Sequence, residues 1–153
     1  REAAAGRTFR VSGSVSLRPS DVLRVGASVN FVRLTREFDG SEFARTILPR
    51  VRLEYQPNRA LFFRAVAEYR SERRAALQDP MSGLPLVING TPSSSQQTDR
   101  LRLDLLGSFE PTPGTVAFLG YGSTLRGDRP LTFQDLQRSD DAFFVKLAYL
   151  MRW

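Results

Sequence analysis

The chain has 153 residues, of which 41% are hydrophobic, and this length suits one domain rather than two. It contains no cysteine and no histidine, which excludes disulfides, Cys/His zinc sites, Ser-His or Cys-His nucleophile pairs and imidazole acid–base catalysis. Its 22 basic residues outnumber its 16 acidic ones, and Lys146 is the only lysine. Because the arginines are spread along the chain rather than clustered between stacking aromatic residues, we do not expect a nucleic-acid partner.

Alternation with a period of two residues recurs along the chain and indicates β-strands with one apolar and one polar side. In the first strand Phe9, Val11 and Leu17 alternate with Arg10 and Arg18. Seven strands are predicted in this way, at residues 8–18, 23–31, 43–55, 61–70, 100–109, 115–125 and 143–153. Helical periodicity is rare, so we predict an all-β fold.

The third predicted strand alternates cleanly only after Pro49. Proline cannot donate a hydrogen bond to a ladder and is found at bulges or at sheet edges. We therefore predict a β-bulge at Pro49 that keeps Ala44, Thr46 and Leu48 on the apolar side.

The connections between the predicted strands alternate in length. Short turns are predicted at residues 19–21, 57–59 and 111–114, and longer polar loops around 39–40, at 72–99 and at 126–141. In an up-and-down antiparallel arrangement all the short turns lie at one end, as in a transmembrane β-barrel with strands of about 9–11 residues. We therefore predict a barrel of this kind, with long surface loops at 72–99 and 126–141.

The distribution of charge predicts which side of each strand would face lipid. A basic or acidic group at the bilayer midplane costs about 2–4 kcal/mol on the lipid face of a barrel, and one side of the predicted strands is almost free of charge. The opposite side, which also includes Arg10, would line a polar lumen. Its charged candidates are Arg24, Arg50, Arg52, Glu54, Arg64, Glu68, Arg70, Arg100, Arg102, Asp104 and Lys146.

Aromatic residues near the strand ends give a second indication. Tyr55, Phe63, Phe109 and Trp153 lie near the short turns, and Phe31, Phe43, Tyr69 and Phe143 lie near the long loops. Two such belts are typical of aromatic rings at the two membrane interfaces.

The strand count predicts that the chain is the C-terminal part of a larger barrel. Bacterial single-chain barrels have an even number of strands and place both termini at the end with short turns. Counted back from Trp153, the first predicted strand starts at the loop side, and residues 1–7 are too short to form the strand that would precede it. We therefore interpret residues 1–7 as a partial strand or linker and residues 8–153 as the C-terminal strands.

Three local motifs have two interpretations each. The triplet from Gly120 to Gly122 is similar to a potassium filter, but glycines in a strand more often make room for a neighbouring ring. The sequence Asn89-Gly90-Thr91 fits either a glycosylation site or a turn. Glu68 and Asp104 could act as a carboxylate pair, but the surrounding arginines favour salt bridges across the sheet.

The C-terminal sequence resembles a known family. Residues 111–125 (PTPGTVAFLGYGSTL) and 141–153 (DAFFVKLAYLMRW) resemble the end of a bacterial outer-membrane family of unknown function, whose members often carry a carbohydrate-binding family-9-like module before a C-terminal barrel. Tyr149, Met151 and Trp153 resemble the terminal signal that the barrel-assembly machinery recognises, although phenylalanine is the commoner last residue. The resemblance implies no catalytic residue.

These observations predict a non-enzymatic outer-membrane β-barrel protein of a Gram-negative bacterium. It would be a surface or porin-like protein, linked to saccharide binding or uptake through a missing N-terminal module. Its expected partners are outer-membrane lipid, the barrel-assembly machinery, a polar or anionic solute or saccharide, and a larger surface assembly. We expect no cofactor, metal or catalytic residue. The alternative is a soluble β-barrel that binds a small apolar ligand, and a membrane-embedded enzyme is a third hypothesis.

Overall fold

The computed structural model describes residues 5–127 and 136–149, and every regular element in these ranges is a β-strand. The strands are β1 (Gly6–Ser20), β2 (Leu23–Arg36), β3 (Glu42–Tyr55), β4 (Leu61–Arg74), β5 (Val87–Ile88), β6 (Thr91–Pro92), β7 (Gln96–Thr112), β8 (Thr115–Gly127) and β9 (Gln137–Tyr149). Within the same ranges there is no helix with the length and hydropathy needed to cross a bilayer.

The seven long strands form one antiparallel sheet in the order β1-β2-β3-β4-β7-β8-β9. Each strand pairs with its neighbour in sequence, apart from the small β5–β6 hairpin in the connection from β4 to β7. The predicted all-β, up-and-down arrangement is therefore confirmed. The sheet is open, with β1 at one edge and β9 at the other.

The strand register gives the sheet two chemically different faces. The apolar face carries, across the middle of the sheet, the paired residues Val15, Ala27, Val51, Ala67 and Leu103. The charged face carries the intervening residues of the same strands, such as the paired set Arg50, Glu68 and Arg102. Because alternate residues of a strand point to opposite sides, a continuous register keeps these two sets apart from one strand to the next.

The apolar face is not covered by a second layer. Among the described residues, Val66 and Tyr69 are the only buried hydrophobic side chains. Val11 is 48% exposed and Leu147 is 78% exposed. On the seven long strands, every exposed large apolar side chain in the described ranges lies on the apolar face except Phe144. An exposed apolar surface of this extent marks a region that meets another apolar phase or partner.

The predicted bulge at Pro49 is wrong. The pairing of β3 with β2 runs without a shift from Ala44 to Tyr55 and includes the pair of Pro49 with Val29. The ladder between β3 and β4 keeps one register but omits Leu48 and Pro49, because proline has no N–H to donate. The missing hydrogen bond therefore interrupts pairing on one side without displacing the strand.

The continuous register reverses the predicted orientation of the first half of β3. Ala44, Thr46 and Leu48 share the charged face with Arg50, whereas Ile47 shares the apolar face with Val51. The bulge of β3 lies nearer its start, where two residues of β2, Leu34 and Thr35, face three of β3 from Glu42 to Ala44.

The three short connections lie at one end of the sheet, here called the turn end, and the longer connections lie at the other, here called the loop end. The strands are longer than predicted, so the long connection after β4 covers residues 75–95 instead of 72–99. Residues 72–74 are polar, but their backbone continues the ladder by pairing with residues 96–98 of β7. Similarly, β9 begins at Gln137, inside the loop predicted for 126–141.

Residues at the turns explain why the chain reverses where it does. The side-chain oxygen of Asn58 accepts hydrogen bonds from the backbone N–H groups of Ala60 and Leu61, each at 2.9 Å. Gly114 adopts a φ of 91° after Pro113, which matches the proline–glycine preference of a type II turn. Asn89 and Gly90, with φ of 48° and 81°, connect β5 to β6, so this motif forms the predicted turn.

Candidate functional site

The candidate site is the charged face of the sheet. The register places all of the predicted lumen candidates on this face: Arg24 in β2; Arg50, Arg52 and Glu54 in β3; Arg64, Glu68 and Arg70 in β4; Arg100, Arg102 and Asp104 in β7; and Lys146 in β9. Eight of these side chains are basic and three are acidic, which gives the set a net charge of +5.

Most of the ion pairs on the charged face run along a strand. Arg102 Nε lies 3.1 Å from Asp104 Oδ2, and Arg52 pairs with Glu54 in the same i,i+2 arrangement. Arg70 Nε donates to Glu72 at 2.8 Å. Residues two apart on a strand project to the same side, so this spacing could have been recognised in the sequence.

Two ion pairs on the charged face join neighbouring strands: Arg50 with Glu68 between β3 and β4, and Arg126 with Asp140, 3.9 Å apart, between β8 and β9. Arg50 Nη1 lies 3.9 Å from Glu68 Oε2, and these residues are direct partners in the β3–β4 ladder. Glu68 therefore forms the predicted salt bridge across the sheet, whereas Asp104 pairs with Arg102 of its own strand. Within the described ranges, Arg24, Arg64, Arg100 and Lys146 form no ion pair.

A recess of about 490 Å³ lies in the charged face. Arg50, Arg52, Arg64 and Arg102 line it, together with Asp104 and neighbouring apolar groups. The side chains of Arg50 and Arg52 are each 51% exposed, and that of Arg102 is 62% exposed. Guanidinium groups that remain accessible can donate hydrogen bonds to anionic or hydroxyl-rich solutes.

Gly120 permits an aromatic ring to lie on the charged face. Gly120 in β8 and Phe144 in β9 are direct partners, and a Cβ atom at Gly120 would overlap the Phe144 ring. This confirms for Gly120 the interpretation of a strand glycine as room for a neighbouring ring, whereas a Cβ atom at Gly122 would lie 3.3 Å from Asp104 Oδ1. Tyr121, between the two glycines, projects to the apolar face beside Phe143, so the triplet does not form an ion filter.

Arg36 was not singled out from the sequence, although it joins two connections at the loop end. It is 4% exposed, and its guanidinium lies 4.9 Å from the centre of the Phe43 ring. It donates to Ser41 Oγ at 3.1 Å and to the carbonyl oxygen of Ala76. These partners lie in the connections after β2 and after β4, so a single side chain holds both in place.

The predicted aromatic belts are present in part. Tyr55, Phe63 and Phe109 lie exposed at the turn end of the apolar face, and Phe31 and Phe143 lie on the same face. Phe43 is instead the extra residue of the β3 bulge and contacts Arg36. Trp153 lies outside the described residues.

Tyr69 belongs to the apolar face but is 6% exposed. Its hydroxyl donates to Asp99 Oδ1 at 2.9 Å, and Gln97 donates to the other carboxylate oxygen at 3.1 Å. Asp99 is the one fully buried large side chain in the described ranges. This carboxylate lies at the loop end, beyond the charge-free central band.

Of the predicted terminal signal, Tyr149 is the last residue of β9 and is 74% exposed. Met151 and Trp153 lie outside the described residues. Within those residues, no group of carboxylates is arranged to hold a metal ion.

Two loop carboxylates at the loop end have perturbed acidity. The backbone N–H of Ser41 donates to Asp39 at 2.9 Å and holds the pKa of that carboxyl below its usual value. The backbone N–H of Met81 donates to Asp79 at 3.1 Å and, together with the Ser82 hydroxyl at 2.8 Å, lowers the Asp79 pKa. Both carboxylates therefore stabilise their turns in the ionised form.

In comparisons with family models, with curated proteins and with solved structures, nothing matches this chain.

Proposed function

We propose that the chain forms transmembrane strands of a bacterial outer-membrane β-barrel, with its apolar face toward lipid and its charged face toward the lumen. The barrel would be non-enzymatic and act as a surface protein or pore for polar or anionic solutes. The observation that supports this most directly is the segregation of charge, because the central band of the apolar face is both uncharged and exposed.

The lack of an apolar interior also supports the proposal. A soluble sheet protein buries its apolar face against another layer, but Val66 and Tyr69 are the only buried hydrophobic residues in the described ranges. Leu105 and Val145 remain 50% and 64% exposed. Lipid would cover this face, and further strands paired with the open edges β1 and β9 would complete a barrel.

A pore role is supported by the composition of the charged face. Its candidate residues carry a net charge of +5, and four arginines surround the recess. A basic pore wall favours anionic solutes. A link to saccharide uptake depends only on the resemblance of the C-terminal sequence to the outer-membrane family with carbohydrate-binding modules.

Membrane extraction tests the proposal. The full-length protein, expressed in a Gram-negative host, should sediment with outer membranes, resist extraction by salt and urea, and dissolve in detergent with the heat-dependent gel mobility of a folded barrel. A monodisperse protein in buffer without detergent would contradict the membrane assignment.

Ion selectivity tests the pore role separately. In a planar bilayer under a salt gradient, the protein should conduct and show a reversal potential on the anion side, because basic groups dominate the charged face. Arg50→Gln combined with Arg64→Gln should move the reversal potential toward zero. A folded, inserted protein that does not conduct would leave a surface role and exclude the pore.

A further inference from the structure

Three arginines form a row across the apolar face at its loop end. Arg33 in β2 pairs directly with Arg45 in β3, and Arg45 pairs directly with Arg73 in β4. These three residues are here called the arginine row. Phe9 extends the row on β1 and Gln97 extends it on β7.

The row lies directly beside the apolar band. Two residues closer to the turn end on the same face, β2 carries Phe31 and β3 carries Ile47, whereas β4 carries Ser71. Guanidinium groups and apolar side chains are therefore adjacent on β2 and β3. Arg33 and Arg73 are exposed. This order of groups matches a lipid, in which a polar headgroup is joined to hydrocarbon chains.

The arrangement has an electrostatic cost within the protein alone. Directly opposed residues on neighbouring antiparallel strands have Cβ atoms about 4.5–5.5 Å apart, and like charges in such positions are destabilising. Glu42 offsets part of this cost, since its carboxylate lies 3.1 Å from Arg33 Nε and 3.6 Å from Arg45 Nε. The three guanidinium groups and this one carboxylate carry a net charge of +2, and Asp99, diagonal to Arg73 on the same face, is already hydrogen-bonded to Tyr69 and Gln97. A bound anion would offset this positive charge.

We propose that the arginine row binds the phosphate headgroup of an anionic lipid in the leaflet at the loop end, whose acyl chains lie against the apolar face. This inference rests on the proposed function, because it requires the apolar face to meet lipid. Phosphate fits the row because guanidinium groups donate paired, charge-assisted hydrogen bonds to its oxygens. A soluble phosphate would leave the adjacent apolar side chains unused.

Lipid retention tests this inference. The full-length protein is placed in phosphatidylcholine nanodiscs in which about one lipid in ten is phosphatidic acid, so that the anionic lipid is scarce. The protein is then transferred to detergent, and the lipid that remains bound is measured by native mass spectrometry. Compared with the original protein, the triple variant Arg33→Gln, Arg45→Gln, Arg73→Gln should retain at least about tenfold less phosphatidic acid. The reason is that each basic residue near an anionic surface contributes on the order of a fivefold gain in affinity.

The matched control removes the same number of charges away from the row. Arg10→Gln, Arg18→Gln, Arg59→Gln should retain as much phosphatidic acid as the original protein. Inorganic phosphate, added to nanodiscs without phosphatidic acid, should leave the thermal unfolding of the protein unchanged. An equal loss of lipid in both triple variants, or stabilisation by phosphate alone, would overturn the proposal.

A second variant tests the row in the opposite direction. Glu42→Gln removes the carboxylate between Arg33 and Arg45, so it should increase the retained phosphatidic acid at least about twofold. If the triple variant does not assemble, Glu42→Gln still tests the inference. The inference is contradicted if this variant retains no more phosphatidic acid than the original protein. A protein that never enters nanodiscs refutes the proposed function, whereas one that enters but retains lipid independently of the row refutes only this inference.

Discussion

Gly120 determines which side chain can lie next to it on the charged face. Its lack of a Cβ atom allows the Phe144 ring to cover the strand backbone. The sequence predicts that strand glycines make room for rings, but it does not identify which ring, because the partner depends on the register of β8 with β9. Arg36 was missed for a similar reason, since its partners come from two separate connections.

Gly120→Ala should destabilise the sheet, because the new methyl group would overlap Phe144 and the ring would have to move. Gly107→Ala is a matched control, since a Cβ atom there would lie 3.5 Å from the Phe63 ring, an ordinary contact distance. The expected loss for Gly120→Ala is about 1–3 kcal/mol, typical of overpacking. Urea unfolding of the reconstituted proteins measures both, and equal midpoints would contradict this account.

The turn around Asp79 should lose its order in acid. Hydrogen bonds from Met81 and Ser82 lower the Asp79 pKa below its ordinary value of 3.8. A carboxyl whose pKa is depressed on folding stabilises the turn above the unfolded pKa, and this contribution is lost as the pH falls through the folded pKa. Hydrogen exchange in peptides covering residues 77–86, corrected for intrinsic rates, should therefore show protection that declines below about pH 4.

Asp79→Asn serves as the control for this titration, because its side chain cannot ionise. Protection in the variant should be independent of pH over the same range. A decline of equal size in both proteins would show that another group controls the turn.

At the scale of the strand, the alternation of apolar and polar residues was sufficient to predict the seven long strands and the order of the two faces. It failed in the first half of β3, where Pro49 was interpreted as a bulge although the register continues past it. It also ended β4 too early, because residues 72–74 lose the alternation while their backbone groups still pair with β7. Side-chain pattern and backbone pairing are separate properties, and only the first can be read directly from a sequence.

The β5–β6 hairpin should depend on Gly90. Asn89 and Gly90 both have positive φ, as a type I′ turn requires, and a β-branched residue is strained in that region. Gly90→Val should increase proteolytic cleavage in residues 75–95 while the seven-stranded sheet remains assembled. Asn89→Gly should be tolerated, since glycine adopts this conformation freely; cleavage that is the same in both variants would argue against the turn assignment.

For the whole molecule, the important property is an antiparallel sheet with almost no buried apolar residues in the described ranges. The charged residues could be assigned to one side from the sequence, because their assignment needs only the two-residue period. The ion pairs between strands and the position of the recess could not, since both depend on how far neighbouring strands are shifted. The arginine row became visible only through the register of β2, β3 and β4.

The orientation of the sheet is tested most directly by one substitution made on each face. Leu105 lies exposed on the apolar face, and the next residue, Leu106, lies on the charged face beside the recess. Leu105→Arg should prevent assembly into the outer membrane, at a cost of about 2–4 kcal/mol for a charge in contact with hydrocarbon, whereas Leu106→Arg should still yield a heat-modifiable, membrane-inserted protein. Normal assembly of Leu105→Arg together with failure of Leu106→Arg would show that the two faces are assigned the wrong way round.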